Sequence, residues 1–294
     1  MTSSSSKSWL ASRSLAVTAA LLLIAFFYAN PSQAQDGIAQ TATDHVANKT
    51  ADSKLPLTGS VNLLSDYRFR GISQTWQGAA VQAGVELALP HGWYLGTSLS
   101  NVSTHSYGQG QGLEHDIYGG WRGDIAAGWQ LDTGLQHYRY PGARLATDNG
   151  STRRFDTTEF YLGATQGGFS AKWSLALSPY FGLQNDTAGT AFATALAPTG
   201  SSRGSQYLDL NYQHALGDGV VLGVHGGYTA VRHYRDASYA DWRLSLAKTW
   251  GAWTASVAYA GTSADAAYYS AGNGSGQLRS LGRSGWVLGL SAAF

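Results

Sequence analysis

Asp66, Arg68 and Arg70 stand two residues apart, and Glu114 and Asp116 repeat the spacing. In an extended chain this sends side chains to one face, about 7 Å apart along the strand. That arrangement builds a charge ladder rather than an acid–base pair around one reacting atom. Nucleophilic catalysis needs a Ser held against a His with an orienting group. His105-Ser106, His137 and His214 supply the residue types without a nucleophile motif around them. Asp156 and His233 are the candidate pair for a protease of the acidic-barrel type. The His-Glu-x-x-His spacing is absent. Gly108-Gln109-Gly110-Gln111-Gly112 follows an extended segment and opens no helix, so it reads as loop rather than phosphate cradle. Without cysteine the chain has no thiolate metal site and no disulfide. No catalytic, cofactor-binding or metal residue is therefore expected.

The elements that position these charges are strands. From Thr58 to Phe294 apolar and polar residues alternate, the period of a strand with two unlike faces. Twelve strands are expected, at 59–70, 79–89, 93–102, 113–122, 128–140, 155–165, 169–178, 205–215, 220–229, 239–248, 253–262 and 284–294. Short connections (90–92, 123–127, 166–168, 216–219, 249–252) alternate with long ones (71–78, 103–112, 141–154, 179–204, 230–238, 263–283). Tight turns at one end and long loops at the other predict an all-β, up-and-down antiparallel transmembrane barrel.

One parity collects Val81, Val85, Leu95, Leu99, Leu131, Leu135, Val224 and Val257. The other holds nearly every strand charge. Asp66, Glu86, Glu114, Asp116, Asp132, Glu159, Asp209 and Asp241 are its acids, and Arg68, Arg70, Arg122, Lys172 and Arg243 its bases. With Tyr118 these are the expected pore-lining residues; Tyr94, Tyr138, Tyr161 and Tyr207 share the face and narrow it. The 179–204 loop, with Phe181, Phe192 and Pro198, is either an inward constriction or a surface loop. His115, His137, His214 and Lys248 fall on the lipid-facing parity near strand ends, where a charge costs little.

Trp93, Trp129, Phe169 and Trp253 each begin a strand after a short turn, and Trp121 precedes one. With Phe294 they would form the aromatic ring at one membrane interface. Tyr67, Phe69, Tyr228 and Tyr259 would form the other. The chain ends Trp286-Val-Leu-Gly-Leu-Ser-Ala-Ala-Phe294, an alternating strand closing on an aromatic. This C-terminal strand is the expected contact for the barrel-assembly machinery, and outer-membrane lipids are the expected surroundings of the wall.

Lys7 and Arg13 precede an apolar run from Leu15 to Tyr28, then Asn30-Pro31 and Ser32-Gln33-Ala34. That order predicts a signal peptide over 1–34, cleaved near Ala34, since the run is too short to span as a helix. Residues 35–57 are polar and aperiodic and read as a flexible periplasmic lead. The barrel follows over 58–294. Charged residues make up 13% of the chain, and its net charge is +1. No basic cluster exceeds Arg153-Arg154, so nucleic acid is not an expected partner.

Ser65-Asp-Tyr-Arg-Phe-Arg-Gly-Ile-Ser-Gln74 and Ala80-Val-Gln-Ala-Gly84 resemble the opening of the TorF family of porin-type proteins. Glu114–Gly120, Tyr138–Gly142 and Glu159–Gly163 resemble later segments of that family. The likeness runs through everything after the lead, with His115 and Trp121 departing from the family pattern. It implies an outer-membrane porin. The expected activity is passive diffusion of small hydrophilic solutes through a narrow lumen with a mild cation preference. A non-conducting surface barrel or adhesin working through long loops is the alternative, and an outer-membrane hydrolase a more distant one. Twelve strands leave a narrower passage than sixteen.

Overall fold

The computed structural model describes residues 56–189 and 196–294. The expected signal peptide and nearly all of the expected lead lie outside the described residues, as does Phe192. Twelve strands close into one antiparallel barrel. They are β1 (Leu57–Leu64), β2 (Ala80–Ala88), β3 (Trp93–Asn101), β4 (Leu113–Ala126), β5 (Trp129–Arg139) and β6 (Thr157–Gln166). The circuit continues with β7 (Phe169–Ala176), β8 (Gln206–Gly217), β9 (Val220–Ala230), β10 (Tyr239–Trp250), β11 (Trp253–Thr262) and β12 (Gly285–Ala293). Each strand pairs with its neighbours in sequence, and β12 closes on β1 with Ser60 opposite Ala293. Phe294 completes the seam, exchanging two backbone hydrogen bonds with Gly59 at 2.8 and 2.9 Å. Its ring lies against Gly59, where a Cβ would meet it at 2.5 Å.

Closure leaves no free edge, so the wall's backbone groups pair strand to strand apart from bulges at Ile125 and Leu216 near the short turns, the condition for crossing hydrocarbon. The tight turns suit this geometry. Ala127-Gly128 and Asp218-Gly219 hold positive φ at both residues, as two-residue type I′ hairpins require. Val81, Val85, Leu95, Leu99, Leu135, Val224 and Leu244 are exposed on the outer surface. A soluble barrel would bury this aliphatic set. Here the wall is turned inside out, with charge within and apolar surface without.

Trp93 and Trp121 face each other across β3 and β4, and Trp121 Nε1 donates to His91 O at 2.9 Å. Trp93, Phe169, Trp253 and Phe294 are exposed at the short-turn end, and Trp129 is partly so. Trp250, register partner of Trp253, adds to this ring. At the other end Trp242, Tyr259 and Trp286 form a contiguous exposed row, with centroids 5.6 and 4.9 Å apart.

The first expected strand is the one place where the chain leaves its predicted path. β1 stops at Leu64, Ser65 still bonds Leu288 of β12, and residues 66–75 are buried inward instead of continuing the wall. Arg68–Phe69 pairs with Ile72–Ser73 in a short hairpin turning at Arg70-Gly71. Both turn residues have positive φ, +50° and +74°, again the type I′ signature. Tyr67 and Phe69, expected in the outer aromatic ring, are instead buried inside the barrel.

Candidate functional site

The lumen is organised around this inward hairpin. Asp66 holds the hairpin's own fold together. Its Oδ2 accepts from Arg68 Nε at 2.8 Å, and its Oδ1 accepts from Ser73 Oγ at 2.6 Å and Thr75 Oγ1 at 3.2 Å. Arg68 also donates to Arg283 O at 2.8 Å. Arg70 at the tip reaches across the barrel. Its Nη2 donates to Glu159 Oε2 of β6 at 2.6 Å, and its Nη1 donates to the Tyr180 hydroxyl at 3.3 Å. The guanidinium lies 4.3 Å from the Tyr207 ring centroid and is 1% exposed. A positive φ at a non-glycine residue and a dehydrated charge are both costly. They persist because the carboxylate, hydroxyl and ring together over-determine the position. Tyr67 adds a third tie by donating to Glu114 Oε1 of β4 at 3.1 Å.

Above the hairpin the long loops close the mouth with an aromatic core. Tyr107 stacks on Tyr140 at 4.3 Å, and Phe155 meets Tyr107 edge-on at 5.3 Å. Phe181 packs against Phe69 at 5.7 Å and Tyr140 at 6.0 Å. The described parts of the 179–204 loop therefore turn inward, with Tyr180, Leu183 and Leu196 buried beside Val231 and Tyr234. Phe181 points to the hairpin, while the rest of the described loop packs on the 231–237 segment.

Towards the short-turn end, charges interlock strand to strand. Arg122 bridges Glu86 at 3.3 Å and Asp132 at 3.2 Å, with its guanidinium 4.4 Å from the Tyr94 ring centroid. Tyr94 donates to Asp132 Oδ1 at 2.6 Å and meets the Tyr161 hydroxyl. Lys172 lies 4.3 Å from the Tyr161 ring centroid, and Asp209 is its register partner on β8. Nearer the long loops, Asp116 accepts from Ser98 Oγ at 3.1 Å and Arg243 lines the cavity beside the hairpin, while Tyr118 tilts against Tyr94 at 6.4 Å.

Two features of the lumen wall escaped the sequence. Gly120 and Gly134 face each other across β4 and β5 on the inner wall. Any Cβ at Gly134 would strike the Tyr161 hydroxyl at 2.5 Å, and one at Gly120 the Tyr94 hydroxyl at 2.7 Å. The pair makes the dent that lets two tyrosines meet. Overpacking such a contact costs about 1–3 kcal/mol, so Gly134→Val should lower the barrel's unfolding midpoint. Gly163→Ala, where a Cβ has only ordinary contacts of 3.6 Å and beyond, should leave it nearly unchanged. The second is His225 on β9, flanked by Asp241 at 2.6 Å and Asp209 at 3.1 Å. Its inner-face parity, shared with Asp209 and Asp241, was the available signal.

The family described as "Bacterial protein of unknown function (Gcw_chp)" matches residues 48–294. The chain belongs to the Gcw_chp family. The matched span takes in the whole of this Gcw_chp barrel, including the inward hairpin. No curated protein matches the chain. Among solved structures it is similar in fold to the KdgM porin, at 10% identity and a TM-score of 0.46, covering 81% of this chain and 99% of that one. The NanC porin gives 11% identity and a TM-score of 0.48, with 80% and 98% covered. OprD of Pseudomonas aeruginosa gives 13% and 0.36, with 81% and 66% covered.

The Gcw_chp barrel does not assemble the residues weighed for catalysis. His233 Nδ1 lies 2.9 Å from Thr199 O, while Asp156 accepts from Tyr140 N at 3.0 Å and pairs with Arg154. His137 Nδ1 contacts Thr158 Oγ1 at 2.9 Å on the outer wall, and His105 packs edge-on to Trp76. His214 is exposed near the short-turn end of β8.

Proposed function

We propose that this chain is an outer-membrane porin of narrow bore whose described state is closed by the 65–79 hairpin. The carrying observation is the inverted wall: exposed aliphatics outside, and charges and hydroxyls of most strands turned into one lumen. A barrel meant only as a scaffold gains nothing from an interior of costly charges, whereas a conduit for hydrophilic solutes needs it to stay wet. The TorF-type likeness of residues 65–74 supports the same reading, and the predicted signal peptide supports export to the outer membrane with cleavage near Ala34. The wall contacts lipid, the C-terminal strand ending in Phe294 engages the assembly machinery, and small hydrophilic solutes pass without catalysis. Eight lumenal acids against five bases favour cations mildly.

A second reading has its own observation. The aromatic seal over the mouth suits a barrel that never conducts and works through its outer loops.

Single-channel recording of the refolded mature chain, with reversal potential in a salt gradient, separates the two. Infrequent small openings favouring cations are expected. One unit charge about 10 Å from the ion path in water is worth roughly 0.4 kcal/mol. Cation and anion shift in opposite senses, so Asp116→Asn should reduce the cation-to-anion permeability ratio about fourfold, and Arg243→Gln should raise it as much. A folded barrel that stays silent even when the hairpin is released would favour the second reading.

A further inference from the structure

Arg139 is the last residue of β5 and sits on its outer face, in line with Leu135 and His137. Across the ladder its register partner is His115 of β4, while His137 pairs with Ile117. Both imidazoles are held by threonines, His115 Nε2 by Thr97 Oγ1 at 3.0 Å and His137 Nδ1 by Thr158 Oγ1 at 2.9 Å. A wall that is aliphatic below becomes cationic at the long-loop rim.

Beyond Arg139 the chain turns at Pro141-Gly142, with Ala143 N donating to Tyr140 O at 3.0 Å and φ of +76° at Gly142. The turn brings Arg144 into a two-stranded ribbon directly opposite Arg154. Arg139, Arg144 and Arg154 thus surround one pocket of about 100 Å³, with Asp156 as the sole acid in its lining. That acid is already engaged, by Tyr140 N at 3.0 Å and by Arg154 Nη1 at 3.5 Å. Among the described residues no carboxylate lies within 4 Å of Arg139 or Arg144. Like charges placed opposite each other on paired strands destabilise the pair. Asp156, on the Arg154 side, is the one acid offsetting Arg144 and Arg154 here, which leaves the pocket with an excess of positive charge.

We propose that this pocket is a phosphate-monoester site, taking the phosphate of an outer-leaflet glycolipid. Guanidinium forks match the oxygens of a phosphate and bind them bidentately. The volume admits a phosphate group, and the sugar bearing it would rest at the rim near Arg139 and its register partner His115. The site opens at the junction of apolar wall and outer loops, where a lipid headgroup lies. Only the choice of leaflet rests on the outer-membrane reading above.

The test uses the refolded full barrel in zwitterionic detergent, with binding of diphosphoryl lipid A read by native mass spectrometry. The dephosphorylated lipid and inorganic phosphate serve as the two comparison probes. Arg144→Gln/Arg154→Gln should lower retention of the phosphorylated lipid at least tenfold, with the folded band on unheated gels unchanged. Arg139→Gln should lower it less, and Arg144→Lys should fall between wild type and the double variant. Inorganic phosphate should compete only weakly. Equal retention of the phosphorylated and dephosphorylated lipids would overturn the proposal, as would a double variant that binds like wild type. Inorganic phosphate binding as tightly as the lipid would overturn the lipid source. Conductance of the same preparation reads the pore independently, so a silent barrel that still retains the lipid leaves this site standing.

Discussion

Arg70→Ala should turn a mostly closed barrel into a frequently open one. The guanidinium is the hairpin's deepest polar anchor, bonded to Glu159 at 2.6 Å and almost fully buried. Removing one partner of a buried pair leaves the other charge uncompensated, at a cost of about 3–5 kcal/mol. Two routes relieve it: water enters beside Glu159, or the hairpin leaves and the lumen floods. Both favour the open state, by a factor of about a hundred or more if the whole cost falls on the closed one. Glu159→Gln should act in the same direction. Arg70 takes no part in the backbone ladder of the barrel, so the folded band on unheated gels should persist. An apolar pair of similar volume, Arg70→Met with Glu159→Leu, removes both charges together. Such replacements are often neutral or stabilising, so the double variant should return open probability towards wild type. If Arg70→Ala stays as quiet as wild type in a folded barrel, this pair does not govern closure.

The path of residues 65–79 shows where sequence patterning stops being informative. The wall was legible because one face of each strand meets lipid and the other water, and that contrast writes itself into alternation at period two. β2 to β12 accordingly fall within a few residues of their expected bounds. Asp66-Tyr-Arg-Phe-Arg alternates equally well, so it extends the pattern past Leu64 without belonging to the wall. Phe69 meets Tyr138 and Phe181 inside the lumen, a non-lipid apolar environment that parity cannot distinguish from a membrane interface. Arg70-Gly71 was the local clue, since a two-residue turn ending in glycine is what a tight hairpin uses. The partners of Arg70 were within reach of the sequence only as a set of acids on the shared face. Which acid closes the pair depends on how far across the barrel the hairpin extends, a length that no periodicity encodes. Gly120 and Gly134 were hidden for a related reason. Their role is the space they leave for Tyr94 and Tyr161, which comes from strand stagger.

His225→Ala should cost the barrel nearly as much as breaking the Arg70 pair, from a cluster joined to Arg70 through Tyr207. Both imidazole nitrogens face acceptors, Nε2 towards Asp241 and Nδ1 towards Asp209 and Asn211. Carboxylates only accept, so the ring must donate from both nitrogens, as the imidazolium does. Tyr207 adds a donor to Asp241 Oδ1 at 3.2 Å. Deleting the ring leaves two buried acids, on β8 and β10, converging on the gap it occupied. The expected loss is again about 3–5 kcal/mol, read as a lower denaturation midpoint. Adding Asp241→Asn removes one of the stranded charges and should recover at least half of the loss. A midpoint unchanged in His225→Ala would show that water alone satisfies both acids. The cluster bears on gating as well. His225 and Asp241 line the same small cavity as Asp66, Arg68 and Gly71 of the hairpin. A Cβ on Gly71 would come within 2.9 Å of Asp241 Cβ. The hairpin tip thus rests on this wall, with Arg70 running over Tyr207 to Glu159 of β6. His225→Ala should therefore raise open probability as well as lower stability, and Asp241→Asn should reverse both together. Recovery of stability without recovery of closure would separate the clamp from the gate.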